Sequence, residues 1–221
     1  MTTASRRTAG IWTRIFAALY DPMTAAAERG VLGRHRKALL ARAAGVVVEI
    51  GAGTGANLPH YDPQRVGRLI LIEPDASMRR RLERKIDDAV PQLRAGTETV
   101  DGTAGHIDLP DACADVMVST LVLCSVAEPA EAVAEAVRVL KPGGHLLFLE
   151  HVCSEQASVR RWQDRLTPFQ RRFAGGCHLN RDTLAALRNA GMELEGVRRW
   201  ELPGAAGRLL PIVEGTARKA A

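Results

Sequence analysis

Three glycines stand at alternate positions behind an apolar run and an acid in Val46-Val47-Val48-Glu49-Ile50-Gly51-Ala52-Gly53-Thr54-Gly55-Ala56-Asn57. Glycine at such a spacing permits the positive φ of a tight strand-to-helix turn, and its missing Cβ lets a ligand lie against the backbone. The chemistry this supports is cofactor binding. A second acid, Glu73, follows the wholly apolar Leu69-Ile70-Leu71-Ile72 and precedes Pro74, about 20 residues beyond the turn, where nucleotide-binding folds hold the ribose. Both oxygens of a carboxylate accept, which suits a vicinal diol, and its charge repels the 2′-phosphate of NADP. Gly51, Gly53 and Ala56 also satisfy the looser dinucleotide fingerprint, so the glycines alone leave NAD open as the cofactor.

These residues need strands to deliver them. Apolar runs place strands near Val46–Ile50, Arg68–Ile72, Thr97–Val100, Asp115–Ser119 and His145–Glu150, with helices between, which is the alternation of a parallel doubly wound sheet. Binding sites in such sheets lie outside the carboxyl ends of the strands, where Glu49, Glu73, Ser119, Glu150 and His151 all fall. Met192–Trp200 and Leu209–Ala217, joined across Pro203-Gly204, read as an antiparallel pair. In Lys141-Pro142-Gly143-Gly144 the proline stops a helix, the glycines reverse the chain, and Lys141 is expected to serve the helix C-terminus.

The run Glu49-Ile50-Gly51-Ala52-Gly53-Thr54-Gly55 resembles the first motif of the class I S-adenosylmethionine-dependent methyltransferases. Asp115–Val126 and Arg138–Gly144 are similar to the fourth strand and post-helix turn of the ubiquinone/menaquinone-type members. Three segments narrow the likeness: Thr120–Val126, Glu150-His151-Val152 and Gly176–Asp182 resemble the membrane-associated thiol S-methyltransferases of animals and their bacterial relatives, some of which are phospholipid N-methyltransferases. The resemblance implies a Rossmann-like seven-stranded α/β sheet, mostly parallel with a reversed last strand, plus N-terminal helices. It divides the chain into a helical cap over 1–45 and a methyltransferase domain over 46–221.

It also implies a site. The cofactor would be held by Glu49, Gly51, Ala52, Gly53, Thr54, Gly55 and Asn57 of the turn, by Glu73, Pro74 and Met78, by Gly102, Thr103 and Ala104, and by Ser119, Thr120 and Leu121. Tyr20, in a Tyr-Asp pair before Pro22, is expected to reach it from the cap. The loop Asp101–His106 lacks an acid that many relatives place near the adenine, so backbone groups and the Thr103 hydroxyl take that role, and His106 faces solvent. His151 is the expected catalytic base, since imidazole titrates near neutrality, or else a residue that orients the acceptor pocket. Asp182 caps the helix Thr183–Ala190, and Arg181 either holds an anionic acceptor group or braces a lid.

The four cysteines, Cys113, Cys124, Cys153 and Cys177, show neither paired zinc spacing nor a disulfide framework and read as reduced thiols. His151-x-Cys153 and Cys177-His178 could converge on an ion, but no metal is assigned. In the N-terminal segment Ile11, Trp12, Ile15, Phe16, Leu19 and Tyr20 share one helical face, and a second helix over Ala25–Ala43 is expected to expose Arg34, Arg36, Lys37 and Arg42. With a net charge of +5 and arginines around Trp162 and Phe169, peripheral contact with an anionic membrane is a further expectation. No apolar run reaches membrane-spanning length and no secretory signal is evident, so the expected location is cytoplasmic.

Nucleic acid is not an expected partner: helix-turn-helix, zinc-finger and RNA-binding signatures are absent, as is the Asn/Asp-Pro-Pro-aromatic motif of base methylation. The expected reaction is transfer of a methyl group from S-adenosyl-L-methionine to a small lipophilic molecule, a thiol first, with a phospholipid amine or a quinone ring as rivals. An NAD-dependent oxidoreductase and a non-catalytic cofactor-binding protein are the other classes. The sequence fixes no oligomeric state.

Overall fold

A computed structural model describes residues 21–220 apart from 23 and 174. Residues 24–29 are helical and lead through Gly30 into α1 (Val31–Leu40). There follow β1 (Gly45–Ile50), β2 (Val66–Ile72), α2 (Ala76–Asp87), α3 (Pro91–Ala95), β3 (Thr97–Val100), β4 (Ala114–Thr120), α4 (Pro129–Val139), β5 (Leu140–His151), α5 (Ala157–Phe173), α6 (Thr183–Asn189), β6 (Glu193–Trp200) and β7 (Ile212–Arg218). The strands form one seven-stranded sheet in the order β3-β2-β1-β4-β5-β7-β6. β7 runs antiparallel to both neighbours, and the pairs from β3 to β5 are parallel.

The central strands β1, β2, β4 and β5 are buried on both faces, which explains why they are rich in Val, Ile and Leu. Val48, Ile50, Ile70, Ile72, Met117, Leu146 and Phe148 point to one side, against Val133, Ala136 and Val139 of α4 and Leu184 and Leu187 of α6. The alternate residues Val47, Leu69, Leu71, Val116, Val118, Leu147 and Leu149 meet Leu32, Leu39 and Leu40 of α1 and Leu82 and Ile86 of α2 on the other. The period of two along each strand thus becomes two cores, and each fully buried aliphatic side chain contributes about 1.5–3 kcal/mol. Strand order reverses between β1 and β4, and their following loops diverge there to open a crevice.

Two local expectations are corrected. The helix expected over Ala25–Ala43 is broken at Gly30, because the chain folds so tightly that a Cβ on Gly33 would lie 1.8 Å from the Glu28 carbonyl oxygen. The Lys141–Gly144 segment is a wide irregularity within β5: Leu140 pairs with Ala114 and His145 with Val116, so residues 141–144 bulge opposite Asp115. Lys141 therefore pairs with Asp115 at 2.6 Å. The α4 C-terminus is served instead by Lys219, whose Nζ donates to the carbonyls of Val137 at 2.6 Å and Leu140 at 2.7 Å. No helix among the described residues is long and apolar enough to cross a membrane.

Candidate active site

The glycine turn leaves β1 as the sequence predicts. Gly51, Gly53 and Gly55 have φ of 60°, 59° and 82°. A Cβ on Gly51 would strike Val122 at 2.6 Å and one on Gly55 would strike Leu58 and Leu82 at 2.8 Å, whereas Gly53 has only its own turn within reach, at 3.9 Å. Gly51 and Gly55 are thus glycine for packing as well as for φ, and Gly53 is where the backbone lies bare.

Glu73 ends β2 beside this turn. Its Oε2 accepts from the Gly53 N–H at 2.8 Å and its Oε1 from the Asp75 N–H at 2.8 Å, and each oxygen keeps a lone pair. Burial raises its pKa. Asp75 caps α2 by accepting from the N–H groups of Ser77 and Met78. The carboxylate is therefore held at the carboxyl edge of the sheet with acceptor capacity in hand, as a ribose diol requires.

Beneath the turn lies a buried polar network that sequence reasoning only partly anticipates. Glu49 accepts from Asn57 Nδ2 at 2.9 Å and from the Tyr61 hydroxyl at 2.7 Å, so its partners are side chains and not backbone N–H groups. Burial pushes its pKa up to about 7. Asn57 also donates to Thr120 Oγ1 at 2.9 Å. Arg36, expected on a solvated face, is 2% exposed. One guanidinium nitrogen reaches Asn57 Oδ1 at 2.8 Å and Thr120 Oγ1 at 2.6 Å, and Nε pairs with Glu28 at 3.0 Å. Its position between the buried Leu32 and Leu39–Leu40 on the α1 stripe is the sequence signal that could have found it. Arg36, Glu49, Gly51–Thr54, Ala56 and Thr120 enclose a corner of about 20 Å³.

Arg36 and the bare Gly53 backbone suit a compact carboxylate-bearing group in that corner, and Glu73 suits a ribose further along the sheet edge. The residues fit an amino-acid nucleoside better than a dinucleotide, because the corner between Arg36 and the turn, about 20 Å³, suits one compact carboxylate and not a pyrophosphate. Thr54 donates to Asp21, which also pairs with Lys85 at 2.9 Å, so the helical segment is tied to the turn. Tyr20, the expected contact from the cap, lies outside the described residues. On the β3 side a Cβ on Gly102 would lie 3.2 Å from Ile72, Ala104 is buried in the core, and Thr103 forms an isolated bridge with the exposed His106. Met78 is buried beneath the start of α2, and Pro74 leads into it.

Across the crevice the loop after β4 is organised by Glu150, which is fully buried. Its Oε1 accepts from Ser119 Oγ at 2.6 Å and Val122 N–H at 3.1 Å, and its Oε2 from Cys124 N–H at 3.1 Å. The Ser119 hydroxyl thus serves Glu150. Leu121 has φ of 61°, a costly conformation for a branched side chain that the Glu150 contacts and the bond from Leu121 N–H to Leu149 O hold in place.

The same loop brings three soft donors together. Cys177 Sγ lies 3.7 Å from Cys124 Sγ and 3.5 Å from His151 Nδ1. The contact with Cys177 and burial push the Cys124 thiol well up. One residue of each pair suggested by sequence, His151 and Cys177, enters this cluster and the other does not: the Cys153 sulfur accepts from Arg160 and His178 Nε2 lies 3.5 Å from Arg181. Arg181 donates to the carbonyls of Leu123 at 2.9 Å and Ala127 at 3.3 Å, so it braces the loop. Asp182 caps α6 through the Ala185 N–H at 2.9 Å. A broader depression lined by Glu201, Leu202, Gly204 and Arg208 carries none of these groups.

Residues 48–148 match the family described as Methyltransferase domain. The chain is 35% identical to the thiol S-methyltransferase TMT1B of Rattus norvegicus over 71% of its own length and 63% of that protein's. Over residues 48–148 the chain carries a methyltransferase domain. A phosphatidylethanolamine N-methyltransferase of Cereibacter sphaeroides is 29% identical over 57% of this chain and 60% of its own length. The chain spans less than two thirds of the length of both relatives. A putative methyltransferase of Bacillus halodurans shares the fold, with a TM-score of 0.69 at 16% identity over 84% of this chain and 99% of that one. In an open α/β sheet ligands bind where the strand order reverses, here the crevice between β1 and β4.

Proposed function

We propose that the protein transfers a methyl group from S-adenosyl-L-methionine to a small lipophilic thiol. The reading is carried by Glu73 beside the glycine turn, with Arg36 closing its far corner. The cofactor supplies an already activated sulfonium methyl. The chain's task is alignment and exclusion of water, because an in-line displacement needs a nucleophile held at the methyl carbon and little else. Arg36 and the turn hold the amino-acid end, Glu73 holds the ribose, and Glu150 fixes the acceptor loop. His151, at the end of β5, faces that loop and favours the thiolate of the acceptor. The similarity to a thiol S-methyltransferase supports the thiol as first acceptor.

A phospholipid amine is the second reading, supported by the relative that methylates phosphatidylethanolamine by name and by α5, which leaves Trp162 55% and Phe169 68% exposed. A quinone ring is the remaining rival. The helix carries Arg160, Arg161, Arg165, Arg171 and Arg172, with the Arg165 guanidinium 5.5 Å over the Trp162 ring. Such a face suits peripheral attachment to an anionic bilayer on the cytoplasmic side.

Calorimetric titration with S-adenosylmethionine, S-adenosylhomocysteine and NAD, followed by labelled methyl transfer to alkyl thiols, phosphatidylethanolamine vesicles and quinones, tests the reading. Binding of the first two ligands and labelled thioether are expected. NAD binding alone would return the oxidoreductase, and binding without transfer to any acceptor would leave a cofactor-binding protein.

A further inference from the structure

We propose that Cys124, His151 and Cys177 form a zinc site whose fourth position takes the acceptor thiol. Donors around a tetrahedral zinc ion lie at about 2.3 Å for sulfur and about 2.0–2.1 Å for nitrogen, which sets sulfur–sulfur edges near 3.8 Å and sulfur–nitrogen edges near 3.5 Å. The Cys124–Cys177 edge is 3.7 Å and the Cys177–His151 edge is 3.5 Å. All three donor atoms lie within 4.8 Å of one another. Two thiolates and an imidazole select a soft ion over magnesium or calcium, and two thiolates neutralise a divalent charge beside Leu166, Leu179 and Leu210.

The donors come from three distant segments that are clamped to one another. His178 N–H donates to Cys124 O at 2.8 Å, and Gly176, at φ of 90°, passes so close that a Cβ would meet Ser125 O at 3.0 Å. Cys153 N–H donates to Arg181 O at 2.8 Å, joining the strand that carries His151 to the segment beyond Cys177. Both Glu150 oxygens are engaged by the loop, so Glu150 orients the Cys124 backbone and does not ligate. Among the described residues the cluster offers three protein donors, and a Cys₂His set with one open position is the pattern of a catalytic zinc.

The fourth-position role rests on the thiol reading above. The acceptor R–SH binds as R–S⁻ and releases its proton to water. Its sulfur then forms the new S–CH₃ bond as the sulfonium carbon–sulfur bond breaks, S-adenosylhomocysteine leaves, and the neutral thioether, a weaker ligand, departs. His151 is then a ligand through Nδ1 and not a base, which revises both the base expectation and the expectation of no metal.

The 221-residue chain, isolated without chelators, incubated with zinc and dialysed, should retain one zinc per chain by elemental analysis. Cobalt in its place should give thiolate-to-cobalt charge-transfer absorption. Cys124→Ser with Cys177→Ser should abolish both while S-adenosylmethionine affinity is unchanged. Should the double variant misfold, the cobalt spectrum of the unaltered protein decides. No retained zinc and no charge-transfer band would overturn the site, as would isolation with Cys124 and Cys177 disulfide-linked. Adding an alkyl thiol should perturb the cobalt bands; their indifference would overturn the fourth-position role and leave metal binding standing. Because metal content is read without turnover, failure of methyl transfer alone refutes only the thiol reading.

Discussion

Burial makes Glu49 a neutral hydrogen-bonding group through much of the range in which an exposed glutamate is charged. Its pKa rises from 4.5 to about 7 in the folded chain. Below pH 4.5 the carboxyl is neutral in both states, so its contribution to stability is fully present. As pH rises from there through 7 the unfolded chain releases the proton first, and stability falls by on the order of 3 kcal/mol. Chemical denaturation of the cofactor-free protein at pH 5 and pH 8 should show this loss, and Glu49→Gln should flatten it; equal slopes for the two proteins would mean that Glu49 folds as an anion. Glu73 has a different task at a similar depth. Replacing it with Ala removes charged acceptors, each worth about 1.5–3 kcal/mol, so S-adenosylmethionine affinity should drop about 10- to 100-fold by calorimetry, with Glu73→Gln in between. Unchanged affinity would remove it from the ribose role.

At the scale of elements, the break before α1 controls whether Arg36 reaches the site. Glu28 can fold back to pair with Arg36 because Gly30 and Gly33 allow the two helical segments to close against each other. Gly33→Ala should push Glu28 away, lower the melting temperature by several degrees and weaken cofactor binding. A variant that melts normally and binds normally would show that the 1.8 Å approach is relieved at no cost. α1 is further anchored by His35, which stacks on Trp200 at 3.9 Å and pairs with the buried Glu214 at 2.7 Å. The reversed β7 therefore holds the helix that closes the cofactor corner.

For the whole molecule, the proposed function divides the sheet at the β1–β4 crevice: it takes cofactor groups from β1 and β2, and acceptor groups from β4, β5 and the segment after α5. α5 roofs the acceptor side, with Gln163 Nε2 donating to the carbonyls of Val152 at 3.2 Å and Leu209 at 3.1 Å, and turns Trp162 and Phe169 outward. Trp162→Asp with Phe169→Asp should reduce sedimentation with phosphatidylglycerol vesicles at least tenfold while leaving cofactor affinity intact, and salt should weaken binding of the unaltered protein. Equal sedimentation of both proteins would exclude this face as the contact.

The elements and their order were legible in the sequence because periodicity and glycine placement are local: β1, β2 and β3 follow from β-branched runs, and the turn after β1 follows from Gly51, Gly53 and Gly55. Glu73 was legible for the same reason, since a strand-end acid keeps its place whatever packs around it. Only the tertiary structure decided the rest. Arg36 changes from a solvated charge to a buried one because α1 turns that stripe onto Asn57 and Thr120. Lys219 displaces Lys141 at the α4 C-terminus because the bulge aims Lys141 at Asp115. Cys124, His151 and Cys177, spread over residues 124 to 177, meet at 3.5–3.7 Å because β4 and β5 are neighbours and the chain returns beneath α5. Sequence spacing encodes partners within a turn or a strand; groups brought together by sheet order have no spacing to read.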